Sequence, residues 1–133
     1  MCDFSGYVEP EIVKLRRAII VSPPNRGARI ALVVPVSTTR PRALLPIHVE
    51  LPGGHVYRCF GDATEVWVKA DLIAHVRFDR LDRVRIPVLD ACGNPTPRKY
   101  EYLPTVALSA AHLREVRQAV LHGLCLGRLA PDV

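Results

Sequence analysis

The sequence predicts an α+β domain that is mainly β, a small antiparallel, barrel-like sheet closed by a C-terminal helix. Three observations predict it. Residues 30–36 are an uncharged, valine-rich run, too short to cross a membrane, that reads as a strand covered on both faces in the middle of a sheet. Short apolar segments before and after it are separated by Pro- and Gly-containing turns, the pattern of hairpin-connected strands. From Ser109 the apolar period becomes helical, with Leu113, Val116, Val120, Leu121 and Leu124 recurring on one face. A chain of 133 residues makes one domain, spanning residues 1–133.

In chain order, residues 1–10 read as a loose lead-in, because Pro10 discourages regular structure. Residues 14–22, KLRRAIIVS, place a basic cluster before a short buried strand at 18–21. Pro23, Pro24, Asn25, Arg26 and Gly27 form a tight turn, so this strand and the valine run are antiparallel neighbours. Ser37, Thr38, Thr39, Arg40, Pro41 and Arg42 make a polar, basic loop at the carboxyl end of the central strand. IHVEL then alternates, with Ile47, Val49 and Leu51 on one face and His48 and Glu50 on the other. Pro52, Gly53 and Gly54 mark a turn, and residues 55–61 show no clear preference. Residues 65–76, EVWVKADLIAHV, read as one extended stretch with Trp67, Lys69 and Asp71 on one face and Val66 and Val68 on the other. Residues 78–81 form one helical turn among solvated charges. Residues 84–89 form an edge strand because Pro87 cannot donate to a ladder. ACGNPTP is a turn and residues 98–103 the returning strand. The helix spans 109–124, with Ser109 as N-cap and Gly127 just past its end.

Charge narrows the function classes. Lys plus Arg is 18 against 13 for Asp plus Glu, a net +5 carried almost wholly by arginine, since only Lys14, Lys69 and Lys99 are lysines. The planar guanidinium holds phosphate at two points, so this balance suits a polyanion such as nucleic acid. Sparse aromatics argue against base stacking as the main source of affinity. No apolar run approaches the ~20 residues of a membrane helix, and MCDFSGYVEPE lacks the basic-then-apolar profile of an export signal. Cys2, Cys59, Cys92 and Cys125 are scattered and read as reduced cytoplasmic thiols, not as a disulfide framework or zinc site. His48-x-Glu50 matches half of a zinc-deaminase signature whose Pro-Cys-x-x-Cys half is absent, so no metal or cofactor is expected.

Four pieces in order resemble the PemK/MazF family of toxins from type II toxin–antitoxin systems. An arginine precedes a buried strand ending in Ser (KLRRAIIVS), and a second strand ends in VPVSTT, followed by PIHVEL. A third, VWVKADLIAHV, carries a basic residue and an Asp two apart, and a helix closes in the Leu-rich AVLHGLCLGRL. The resemblance spans roughly residues 11–129. It implies an SH3-like barrel, a homodimer, and a cytoplasmic endoribonuclease that cuts single-stranded RNA without a metal. It also implies a cognate antitoxin whose tail occupies the RNA groove.

Cutting RNA without a metal requires a base for the attacking 2′-hydroxyl, a stabiliser for the phosphorane and an acid for the leaving 5′-oxygen. The resemblance makes Arg16 the charge stabiliser, Ser37 a hydrogen-bond donor to a phosphate oxygen, and Lys69 and Asp71 an acid–base pair about 7 Å apart on one strand face. Arg17 stands where the family has Pro, so either Arg16 or Arg17 takes the active position. Arg17, Thr38, Thr39, Arg40, Arg42 and His48 are then RNA contacts. Each residue also has a plainer reading: Arg16 and Arg17 as solvated charges, Ser37 and Thr38 as turn residues, Lys69 and Asp71 as an exposed pair, His48 as a surface histidine. The alternative function is a non-enzymatic module on the same fold: a gyrase-blocking toxin of the CcdB kind, or a degenerate member that binds only antitoxin or RNA. A plain RNA-binding barrel is a third. Convergence of Arg16, Ser37 and Asp71 in one basic groove discriminates among them.

Overall fold

The valine run folds as the central strand, as its composition requires. The computed structural model describes residues 1–6, 15–23, 29–104 and 106–132. In it β2 (Ile30–Ser37) pairs antiparallel with β1 (Ala18–Ile20) along one edge, and with β4 (Glu65–Lys69) and β5 (Ala74–Arg77) along the other. β3 (His48–Pro52) adds to β4, giving the order β1-β2-β4-β3. Val33, Val34, Val36, Val66 and Val68 are buried, and the two faces of β2 fill two apolar clusters. Burying each such side chain contributes roughly 1.5–3 kcal/mol.

The extended stretch at 65–76 is not one strand. Its pleat ends at Lys69, a 3-10 turn covers Ala70–Leu72, and β5 follows. The register against β2 slips by three residues between the two halves, the length of that turn. The turn is fixed from outside. Helix α1 (Ala110–Gly123) packs against it, and a Cβ on Gly123 would stand 3.1 Å from the Ala70 carbonyl oxygen. Asp71 therefore leaves the strand face that carries Trp67 and Lys69.

The sheet does not close into a barrel. β6 (Arg85–Leu89) and β7 (Pro95–Tyr102) form a separate two-stranded sheet. Pro87, Pro95 and Pro97 offer no N–H to a further strand, which keeps this hairpin from extending. β7 begins earlier than the composition suggests, inside what reads as a turn. Its register slips between Pro87 and Leu89, with Arg98 at a φ of 59°. Arg85–Leu89 is the expected edge strand.

At the amino terminus, the first part of the expected lead-in alternates between buried and exposed residues, with Asp3, Ser5 and Gly6 exposed. Cys2 and Phe4 are buried, and Cys2 bridges Arg16 on one side and Leu81 on the other. Residues 7–10, Lys14 and the 24–27 portion of the first expected turn lie outside the described residues. The β1 strand is shorter than expected and half-buried, with Ile20 exposed.

Helix α1 starts as its N-cap dictates, the Ser109 hydroxyl accepting from the His112 N–H at 3.2 Å. The Tyr57 hydroxyl accepts from the Ser109 N–H (3.1 Å) and bonds the His112 ring, tying the start of the helix to the 53–57 loop. Val116, Ala119 and Val120 are its buried side, whereas Leu124, expected there, is exposed beyond the last turn. Among the described residues no helix is long and apolar enough to cross a membrane.

Candidate active site

Strand pairing brings the basic cluster at 16–17 to the hydroxyls at 37–38. The β1–β2 ladder continues past Ala18, where the Val36 N–H donates to the Arg17 carbonyl at 3.1 Å. Carried one residue further, that register sets Arg16 against Ser37, and both line one pocket. Opposed residues of an antiparallel pair project to the same face, so Arg16 goes with Ser37 and Arg17 with the buried Val36. Arg16 is held from its other side by two backbone bonds to Cys2 (2.7 and 3.0 Å).

These residues line one pocket of about 150 Å³, walled by Arg16, Arg17, Ser37, Thr38, Phe60 and Val66 and reached also by Met1 and Leu15. Arg17 is the inner wall. Its Nε is buried and has no hydrogen-bond partner among protein atoms. Leaving such a group unpaired costs about 1–3 kcal/mol. The ion pairs of the described residues, Arg58–Glu101 (3.3 Å) and Arg77–Asp79 (3.0 Å), leave Arg16 and Arg17 out. Beside Arg17, burial pushes the Cys59 thiol up against the opposing pull of the guanidinium, so that cysteine supplies no counter-charge near neutral pH.

The Ser37 hydroxyl is held by its own loop. Its Oγ accepts the Thr39 N–H at 3.1 Å, which fixes the hydroxyl and leaves its proton available to an oxygen in the pocket. The same strand face continues across the sheet, where Ser37 opposes Trp67, Trp67 opposes Glu50, and Lys69 opposes His48. Trp67 is only 2% exposed, and the Arg40 guanidinium lies over its ring at 5.5 Å. An adjoining hollow of about 360 Å³ shares Thr38 with the pocket and is lined by Asp62, Ala63, Thr64 and Glu65.

Of the residues singled out in the sequence, Arg16, Arg17, Ser37 and Thr38 therefore meet. Lys69 and Asp71 do not line the pocket: Lys69 ends β4 across from His48, and Asp71 is exposed on the 3-10 turn. Their expected separation along one pleat is lost with the pleat. Thr39 contributes its backbone, Arg40 covers Trp67, and Arg42 is exposed in the loop. His48 closes the turn before β3, its Nδ1 accepting the Leu45 N–H at 3.2 Å. The sequence reading missed Phe60, Met1 and the carboxylates Asp62 and Glu65. Only Glu65 carried a signal, standing two residues before Trp67 and so on the face of Ser37. Among the described residues no group of three or more His, Cys, Asp or Glu is placed to hold a metal ion.

The chain is 34% identical over 85 residues to the uncharacterized protein YifN of Escherichia coli (strain K12), across 62% of this chain and 56% of that protein. The match thus spans a little over half the length of that relative. Residues 1–91, which hold the pocket, the adjoining hollow and all of the sheet β1-β2-β4-β3 with β5, match the PemK-like, MazF-like toxins of type II toxin–antitoxin systems. On the extent of that match, more than half of its residues, the chain belongs to the PemK-like, MazF-like toxin family.

Proposed function

We propose that this chain is a metal-independent endoribonuclease that cuts single-stranded RNA in the cytoplasm, acting as the toxin of a pair whose antitoxin covers the same groove. The observation that carries the reading is that Arg16, Arg17, Ser37 and Thr38 line one small pocket, with the Arg17 Nε buried and lacking a protein partner. Three preorganised donors around one anion are what a phosphorane needs. A homodimer, expected from the family resemblance, completes the proposed assembly.

In the proposed reaction the scissile phosphate sits between Arg16 and Ser37, with Arg17 donating from the inner wall. Proton removal falls to a group outside the pocket, whose lining holds neither carboxylate nor imidazole. We assign it to Glu65, which shares the strand face of Ser37 and the hollow beside Thr38. The 2′-hydroxyl gives its proton to Glu65, the 2′-oxygen bonds to phosphorus, and the P–O5′ bond breaks. Arg16 holds the charge on the leaving oxygen until water protonates it. The hydroxide left by that water takes the proton from Glu65, so the products are a 2′,3′-cyclic phosphate and a 5′-hydroxyl, with no net water consumed and the carboxylate restored.

The test is to incubate the purified protein with single-stranded RNAs of varied sequence in EDTA. Fragments ending in cyclic phosphate are expected, with Glu65→Gln slowing their release by about 10²-fold, the usual share of a positioned base. Absence of cleavage across all sequences overturns the reading. It would favour the second one, a module that binds antitoxin or RNA without cutting, which draws its support from Lys69 and Asp71 lying outside the pocket.

A further inference from the structure

The β6–β7 hairpin carries a surface that the proposed chemistry does not use. Arg85 opposes Tyr102 and Pro87 opposes Tyr100, so these residues share one face of the hairpin. The Arg83 guanidinium lies 5.1 Å from the centre of the Tyr102 ring, and that of Arg85 lies 4.9 Å from the Tyr100 ring. Both rings remain open to solvent, at 52% for Tyr100 and 47% for Tyr102. The opposite face is the anchored one: Ile86 packs on the core and Glu101 pairs with Arg58.

We propose that this face is a stacking platform for single-stranded RNA, extending the track of the strand held in the pocket. The inference rests on the reading of the chain as an RNA-cutting toxin. The two tyrosines are two residues apart on one strand, about 6.5–7 Å, a spacing at which consecutive bases of an extended strand each find a ring. Each ring already bears a guanidinium, so a base added to it sits beside a positive charge placed for its phosphate. Charge complementarity holds across the hairpin. Glu101 is paired with Arg58, the Asp90 carboxylate accepts the Cys92 and Asn94 N–H groups within the turn, and Asp82 accepts the Arg83 N–H. Arg83, Arg85, Arg98 and Lys99 are exposed around them. The platform is also joined to the pocket. Met1, which reaches the pocket, exchanges two backbone bonds with Asp82 (2.9 and 3.0 Å), the residue before Arg83. Sparse aromatics argued against stacking for the chain as a whole, but the fold concentrates two of the few on one basic face. Both lie beyond the residues that match the family.

The experiment titrates the full-length protein into labelled 2′-O-methyl oligouridines, which cannot be cut, one of about four nucleotides and one of about twelve. Fluorescence anisotropy reports binding. Tyr100→Ala with Tyr102→Ala is expected to weaken the long strand by about tenfold or more, and to leave the short strand unchanged. Tyr100→Phe with Tyr102→Phe keeps both rings and is expected to bind the long strand as the parent does. Parental affinity of the alanine variant for the long strand overturns the platform. So does an equal loss on both strands, or a loss in the phenylalanine variant as large as in the alanine one. Unchanged RNA binding with lost affinity for the antitoxin also overturns it, in favour of a protein surface. A parent that cuts RNA while the alanine variant binds normally removes the platform and leaves the nuclease. A parent that cuts nothing removes the nuclease reading, and the binding comparison still decides the platform.

Discussion

Gly54→Ala is expected to cost at least about 3 kcal/mol and to lower the thermal unfolding midpoint by roughly 10 °C or more. A Cβ at position 54 would overlap the Gly61 carbonyl, a backbone group with no flexible end to swing aside. Both partners are pinned. The Gly54 N–H donates to the Ala63 carbonyl at 2.8 Å, and the Gly61 N–H to the Arg58 carbonyl at 3.0 Å. Between them lie Tyr57, which ties down the start of the helix, and Phe60, which walls the pocket. Strain there therefore reaches the core and the site together. Gly93→Ala is the contrast. Gly93 has a φ of 82° but open space around it, so it carries only the left-handed backbone penalty, about 1–2 kcal/mol. Denaturant titration of the two variants checks both, and a Gly54→Ala protein as stable as the parent would contradict the packing of these loops.

Arg16→Ala and Ser37→Ala are each expected to lower kcat by about 10²–10³-fold while leaving stability near that of the parent. Both side chains are half-exposed, and neither enters a described ion pair, so little folding energy depends on them. Arg16→Lys is expected to recover little, because an ammonium cannot hold two phosphate oxygens in one plane. Lys69→Ala and Asp71→Ala are expected to stay within about threefold of the parent, since surface charges away from a site are weakly felt. Full loss in either of those two variants would restore the family-like acid–base pair and displace Glu65 from its role.

Much of this was legible in the residues, and the failures have physical causes. The valine run and the alternation of IHVEL report burial on two faces and on one, and both became the expected strands. Ser109 capped the helix because a local hydrogen bond decides such a start. EVWVKADLIAHV misled because Ala-Asp-Leu fits a strand as well as a turn, and the deciding contact comes from Gly123 on the distant helix. Cys2 and Phe4 carry no periodic signal. Cys2 is placed by single bridges to Arg16 and Leu81, and both residues pack in one apolar cluster with Ala31, Val33 and Val76, contacts that only tertiary structure supplies. Prolines concealed the start of β7, since a two-stranded hairpin tolerates them where a central strand does not. The site divides in the same way. Arg16, Arg17, Ser37 and Thr38 stand beside strand ends that the sequence marks, whereas Glu65 acquires meaning only once the register sets it on the face of Ser37.

The central idea is that the Arg16 guanidinium and the Ser37 hydroxyl act on the same phosphate, and a double-mutant cycle on single-turnover cleavage measures that directly. Groups that serve one transition state lose their effect together, so Arg16→Ala combined with Ser37→Ala should be little slower than either single variant. Two losses that multiply, or a combined variant that still cuts RNA at the parental rate, would show that the two side chains do not share a phosphate.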